Sequence, residues 1–408
     1  MVNTKKKLFQ TIRFGFAVVL TFLNASVACA DDEDVFNLVV GTNYYYDSNL
    51  FKLPSGTTPI LSTGKSNRSD ILTSTDALLS IDKHYSLQEF SLTYQLTSNK
   101  YQTFNFLDFV SNEYKLNWLW AISPDLTGTL YTEKKETLAS FVDFRALGKQ
   151  NIITVETKNF DFDYSPYMNW HLIGGYSKVT SQNSQVFIQQ TSFESDRFNA
   201  GLKYVFNSLS SLSFIARDST GTYLNQPLDA VNLLDTGFND KSEELRGIWL
   251  ISGKSKLDLK IGYLERQSNN FSQRSFSGNT GTLVYQWDAL PKTSLIFKLS
   301  RRLDGYTDST SSYAVLDSFD FEPTWTISPK LMVKGNAEIS RRSFLGDGPQ
   351  IASSRREDQS SSYGVSATWT PRDSIKTIIQ IGHENRNSTN NSFDYVSDSA
   401  SISAQLDF

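Results

Sequence analysis

The chain has 408 residues, with 39 Lys and Arg against 43 Asp and Glu, three His and one Cys. A net charge of −4 argues against binding of a nucleic-acid backbone, which needs a basic surface, and one cysteine excludes an internal disulfide framework. Three dispersed histidines offer no metal-ligand spacing, so neither a metal nor another cofactor is expected.

Residues 1–30 read as a secretory signal: Lys5, Lys6, Lys7 and Arg13 form a basic start, Phe14 to Leu23 an apolar core, and Ala28-Cys29-Ala30 a small-residue cleavage site. Cys29 invites lipidation, but Ser26 stands where that signal wants an aliphatic residue. Without those four basic residues the remainder, 31–408, carries 35 basic against 43 acidic groups. No later apolar run approaches the roughly 20 residues of a membrane helix, so any span must be made of strands. The 10 Pro, 22 Gly, 19 Tyr and 28 Phe favour sheet over helix or disorder.

In chain order, Val35 to Asp47 puts Phe36, Leu38, Val40, Tyr44 and Tyr46 on one face. After a long polar stretch, Ser48 to Ser69, comes Ile71 to Asp82, then the tetrapeptide Lys83 to Ser86, then Leu87 to Thr97 with a clean period of two. Short turns recur at Ser123-Pro124-Asp125, Ser165 to Met168, Asn207-Ser208, Ser252 to Ser255, Ala289 to Lys292, Ser328-Pro329-Lys330 and Pro371-Arg372-Asp373. Longer polar segments alternate with them, near 98–110, 133–149, 178–195, 218–240, 266–276, 302–313, 343–358 and 386–393. This one-sided pattern predicts about eighteen antiparallel strands, each of the roughly 10 residues a tilted strand needs to cross a bilayer. It is the layout of an all-β transmembrane up-and-down β-barrel of the Gram-negative outer membrane, with short periplasmic turns and long external loops. A soluble sandwich or propeller also repeats strands, but neither predicts loops of one-sided length.

The chain closes on S-D-S-A-S-I-S-A-Q-L-D-F, where Ala400, Ile402, Ala404, Leu406 and Phe408 share one face. A strand ending on an aromatic residue resembles the recognition strand of outer-membrane barrels, which makes Leu406 and Phe408 the candidate signal for the barrel-assembly machinery. Aromatics also gather beside the short turns: Trp118, Trp120, Phe160, Phe162, Tyr164, Trp170, Tyr204, Phe206, Tyr285, Trp287, Trp325 and Trp369. Such rings favour the headgroup level and predict a periplasmic girdle against outer-membrane lipid.

The polar parity carries the candidate lumen. Asp70, Asp76, Asp82, Glu89, Glu113, Asp161 and Asp163, with Lys115, predict an acidic arc of wall. Arg197, Lys203, Arg217, Arg246, Lys260, Arg266, Lys298, Arg302, Lys334, Arg342 and Lys376 predict a mostly basic arc, with Glu244, Asp258, Asp320, Glu322 and Glu338 interspersed. One reading is a wall kept wet by charges of both signs; the other is a transverse field that admits acidic sugars along the basic arc. His84 and His171 fall at short turns. His383, with Glu384 and Ser388, offers a hint of a barrel enzyme and otherwise reads as a rim residue, so no catalytic residue is assigned.

The segments Tyr45 to Leu53 (Y-Y-D-S-N-L-F-K-L), Leu107-Asp108-Phe109, Trp118-Leu119-Trp120 and Trp170 to Tyr176 (W-H-L-I-G-G-Y) resemble the β-barrel porins of polysaccharide-biosynthesis operons, in particular the EpsL-type outer-membrane protein. The resemblance implies exopolysaccharide export across the outer membrane, with polysaccharide and other export components as partners. It supplies no binding residues, and Ser48 stands where a second acid beside Asp47 is expected, which leaves a binding role for Asp47 open. The rival readings are a general diffusion porin, an outer-membrane enzyme acting on lipid or polysaccharide, and a non-conducting structural barrel.

Overall fold

A computed structural model describes residues 35–143, 148–185, 192–350 and 354–408; the expected signal segment, 1–30, lies outside them. The strands are β1 (Phe36–Asp47), β2 (Asp70–Tyr85), β3 (Gln88–Tyr101), β4 (Phe109–Ser123), β5 (Leu126–Leu138), β6 (Ile152–Tyr167), β7 (Trp170–Asn183), β8 (Phe193–Val205) and β9 (Ser211–Tyr223). They continue as β10 (Gly237–Ser252), β11 (Ser255–Ser268), β12 (Phe276–Leu290), β13 (Thr293–Gly305), β14 (Tyr313–Ser328), β15 (Leu331–Leu345), β16 (Glu357–Arg372), β17 (Ile375–Ser388) and β18 (Tyr395–Asp407).

Each strand pairs antiparallel with its chain neighbours, and β18 returns to β1 from Val39↔Asp407 to Asp47↔Ser399, closing an 18-stranded barrel. Closure matters because hydrocarbon offers no partner to a free N–H or C=O, so a sheet spans a membrane only without edges. No helix among the described residues is long and apolar enough to cross. The aromatic C terminus takes part in the seam: the Phe408 N–H donates to the Leu38 carbonyl at 2.9 Å, and its carbonyl accepts from the Leu38 N–H at 3.2 Å.

The strict alternation of residues sets two faces. Leu92 on β3 pairs with Ile81 on β2 and Leu116 on β4, while its neighbour Thr93 pairs with Ser80 and Lys115. The same apolar row continues through Leu299, Phe319 and Ile339 on β13 to β15. The expected aromatics sit at its lower border, where Phe90 stacks on Trp118 at 5.5 Å and Trp120 on Phe160 at 5.9 Å. Gly128 makes the second stack possible, because a Cβ there would meet the Trp120 indole at 2.3 Å.

At the loop ends of the strands the outward parity turns charged, with Lys178, Glu194, Asp218, Lys241, Arg301, Asp317 and Arg341. The apolar belt between these charges and the aromatic border is what an outer-membrane barrel presents to hydrocarbon, a band about 25 Å tall. The protein is therefore a resident of the Gram-negative outer membrane.

Eight short turns overlap the predicted positions, although 83–85 and 165–167 extend β2 and β6 and move those turns to Ser86-Leu87 and Met168-Asn169; seven are two residues long, and the nine longer loops all lie at the other end. Pro124, Pro291 and Pro329 open three of the turns, where their fixed φ is already suited. The strands differ from expectation in length. They run to 12–16 residues, reaching Tyr101, Leu138, Asn183 and Tyr223 inside segments predicted as loop. Polar side chains join neighbouring strands above the lipid, as in the Asn112 N–H donating to the Glu136 carboxylate (2.8 Å) and the ion pair Lys178–Glu194 (2.6 Å).

Candidate functional site: the lumen and its outer mouth

The Tyr45–Leu53 segment builds one side of the mouth. Asp47, at the end of β1, accepts from the Asn49 N–H (2.8 Å), the Ser397 hydroxyl (2.5 Å) and the Lys52 ammonium (3.0 Å). Asn49, 2% exposed, accepts from the Leu53 N–H and donates to the Leu53 and Val396 carbonyls, while Lys52 takes a left-handed φ of 51°. This clamp turns Phe51 inward, fully buried and edge-on to Phe104 (4.7 Å) and Phe141 (4.8 Å). Asp47 is thus committed to holding a loop. Asp70, expected among the lumen charges, is an anchor too: it accepts the amides of Thr103 (2.7 Å) and Phe104 (2.9 Å).

Phe141 belongs to the loop between β5 and β6, and two residues on, Asp143 meets a second wall. Its carboxylate lies 2.5 Å from Arg342 on β15, 3.0 Å from Arg356 and 3.2 Å from Arg386 on β17. These partners are 199 to 243 residues away in sequence and meet it only across the outer mouth, which identifies their parity as the inward one. Burial alone raises the Asp143 carboxyl, but the three guanidiniums more than offset it and hold it below the usual aspartate range. Arg342 and Arg356 also face Tyr306, whose hydroxyl burial pushes up to about 12.

The other outer loops are knitted by Arg274, 6% exposed, which donates to the carbonyls of Ser311 (2.6 Å), Asn232 (3.1 Å), Asp308 (3.1 Å), Leu233 (3.3 Å) and Asp347 (3.4 Å).

Along the wall, from the mouth downward, the register puts Arg217, Arg246, Lys260, Arg266, Lys298, Arg302, Lys334, Arg342 and Lys376 on the inward parity, together with Asp76, Glu89, Glu113, Asp161 and Asp163. The basic arc does not stand alone, however. Arg217 pairs with Glu244 (3.1 Å), Arg246 with Asp258 (2.8 Å), Arg266 with Asp240 (2.6 Å) and Lys298 with Asp320 (3.6 Å). Arg302 pairs with Asp304 (2.8 Å), Lys334 with Glu322 (2.5 Å), Arg342 with Asp143, and Lys203 with Asp163, which also holds His171 at 2.6 Å. The more exposed of these pairs, such as Lys298–Asp320, Arg302–Asp304 and Lys334–Glu322, contribute about 0–1 kcal/mol each, so their main effect is to cancel one another's field. Among the described residues Arg197, Lys260 and Lys376 have no acidic partner within 4 Å.

Two cavities follow the wall, one from β2 to β9 and the other from β6 to β13. The lower, about 820 Å³, is lined by Glu89, Asp161, Asp163, Asn199 and Arg217; the upper, about 390 Å³, by Asn183, Tyr223, Asp240 and Arg266. Ser177 and Arg197 line both, so the unpaired guanidinium stands where they meet.

Comparison with solved structures agrees with this layout. Over 92% of this chain and all of theirs, the barrel matches the outer membrane protein OpdK of Pseudomonas aeruginosa with 11% identity and a TM-score of 0.51. OccK2 (OpdF) of the same species, solved in complex with glucuronate, matches at 11% identity over 92% of this chain and 99% of its own, with a TM-score of 0.52. A BenF-like porin from Pseudomonas fluorescens Pf-5 matches at 10% identity over 92% and 99%, with a TM-score of 0.51. The fold is that of an outer-membrane porin. Residues 250–408 also match the family model described as "Putative beta-barrel porin 2", and no curated protein matches the chain.

Within this porin fold several mouth residues have no counterpart in the sequence reading. Asp143, Arg356, Asp358 and Arg386 fell in or beside segments predicted as loops, and Asp240 fell at the edge of one although it lies directly opposite Arg266. His383 is on the outer face, stacked on Tyr363 at 5.0 Å and 2.7 Å from Asp398. No group of three or more metal-capable side chains gathers among the described residues.

Proposed function

We propose that the protein is a passive outer-membrane channel, a diffusion porin for small hydrophilic solutes, narrowed at its outer mouth by the loop between β5 and β6. The observation that carries this reading is the pair of lumen cavities meeting at Arg197, beside a wall whose other cations are largely neutralised. A hydrated wall of paired charges passes solutes without holding them, which conduction requires. The porin description of the matching family model supports the same reading.

The exopolysaccharide role has less behind it. It rests on the resemblance carried chiefly by Tyr45 to Leu53, and Asp47, Asn49 and Phe51 of that segment are engaged in shaping the mouth. The narrowed mouth also suits small solutes better than a polymer chain. Planar-bilayer recordings and liposome swelling with sugars of increasing size test the proposal: discrete conductance and a sharp size cut-off are expected. A folded barrel that passes no current, or loss of polymer secretion in cells lacking the protein with solute uptake unchanged, overturns it.

A further inference from the structure

Arg342, Arg356 and Arg386 converge on one carboxylate, Asp143, and among the described residues one other carboxylate, Asp358, pairs with them. The cluster therefore holds one more positive than negative charge. Its basic half is positioned without help from Asp143. Arg356 is bound by Asp358 (2.9 Å) and lies over the rings of Phe393 (3.4 Å) and Phe344 (4.1 Å). Arg386 donates to the Phe393 carbonyl (2.8 Å) and lies 4.8 Å from the Tyr395 ring; Arg342 lies 4.9 Å from Phe344. The Arg342 Nε, shielded from solvent, has no hydrogen-bond partner among the described residues. The acidic half arrives separately, on a loop that leaves the wall at β5.

We propose that the three arginines form an anion-binding site at the outer mouth, and that Asp143 is its resident ligand, a tethered carboxylate that a solute bearing a carboxylate or phosphate group displaces. Guanidiniums recognise planar and tetrahedral oxyanions through paired N–H donors, and the site presents three with their stems fixed by aromatic rings. The tether gives Asp143 a high effective concentration, so only an anion that engages more than one guanidinium competes with it. Displacement frees the ionic anchor of the loop, leaving Phe141 against Phe51 and the Val142 carbonyl, which accepts from Arg386 at 2.5 Å. Binding and widening of the mouth are then linked, because the anion favours the arrangement in which Asp143 has left. The inference rests on the channel reading for the route by which a solute arrives; the site itself is tested without it.

The test uses the full-length barrel in detergent, folded as judged by heat-dependent gel mobility, with inorganic phosphate as probe and chloride at equal ionic strength as control. The readouts are calorimetric binding and the rate of tryptic cleavage at the exposed Lys149 of the same loop. Phosphate is expected to speed cleavage of the native chain several-fold. Asp143→Ala is expected to be cut rapidly without phosphate and to bind phosphate several-fold more tightly than the native chain, and Arg342→Gln placed on that background to weaken the binding sharply. If Asp143→Ala fails to fold, Asp143→Asn serves, with the same expected gain in affinity. Cleavage and affinity both unchanged in the folded variant overturn the proposal. Conductance of the same samples separates the two readings: a non-conducting barrel that binds phosphate removes the channel and keeps the site, and a conducting barrel without binding does the reverse.

Discussion

Phe141 and Asp143 stand two residues apart in one loop and are held by different parts of the wall, the ring 4.8 Å from Phe51 and the carboxylate 2.5 Å from Arg342. An apolar anchor and an ionic anchor therefore bear on the same short stretch, and they respond to different conditions.

The ionic anchor has a defined response to pH. A carboxyl whose folded-state pKa is depressed contributes stability that is present above its ordinary value and lost as pH falls through the depressed one. Asp143 is depressed by Arg342, Arg356 and Arg386, with Asp358 and Tyr306 also facing the cluster. Channel conductance is expected to hold steady from neutral pH down through the ordinary aspartate range near about 3.9, and to change only below it. A transition between pH 5 and 7 in bilayer recordings contradicts this assignment.

Phe51→Ala removes the centre of the apolar anchor. Truncating a fully buried phenylalanine costs about 3–5 kcal/mol, here localised in the loops rather than the ladder. The variant is expected to keep its heat-dependent gel mobility and to show noisier single-channel current than the native protein. Quiet current in the folded variant argues that Phe104 and Leu107 hold the loop without it.

Arginine at Leu92, on the lipid face of β3, is expected to cost about 2–4 kcal/mol near the midplane. The same change at Thr93, whose partners are Ser80 and Lys115, is expected to cost far less. Unfolding titrations of the two variants in lipid check this, and equal costs contradict the assignment of faces.

Ion selectivity is expected to depend on which cations are paired. Arg197→Gln removes an unpartnered charge where the two cavities meet and is expected to lower anion preference. Arg217→Gln leaves Glu244 unpaired and is expected to shift selectivity further towards cations. Reversal potentials under a salt gradient measure both, and unchanged potentials remove Arg197 from the conduction path.

Deleting Phe408 takes away both hydrogen bonds it makes with Leu38. The truncated chain is expected to reach the membrane in smaller amounts than a Trp249→Ala variant, whose side chain lies on the outer face. Equal amounts of inserted protein, assayed by heat-dependent mobility of membrane fractions, argue that the terminal residue is dispensable.

The barrel was legible because its signals are local: a period of two, Pro-marked turns and loops long on one side only. The mouth was not. Asp143 and Arg386 are 243 residues apart, and no pattern in either segment announces the other, since their meeting depends on the path of a loop. The lumen pairs lay between these extremes. Parity gave the inward face, but which acid neutralises Arg266 needs the register, and that register places Asp240 on β10, which begins at Gly237, inside the segment 218–240 predicted as loop.

The strand order sets how such a chain can be put together. Seventeen of the eighteen pairings join strands adjacent in the chain, so each hairpin closes a short loop at small entropic expense. The pairing of β1 with β18 joins opposite ends of the chain over nine residue pairs, against twelve between β1 and β2, with Asn37 and Asp407 bonded beside it at 2.6 Å. Contacts of that sequence separation form late and slowly. The cylinder is thus a row of quick hairpins awaiting a single slow weld, and a chain that stalls before the weld leaves two bare strand edges facing lipid.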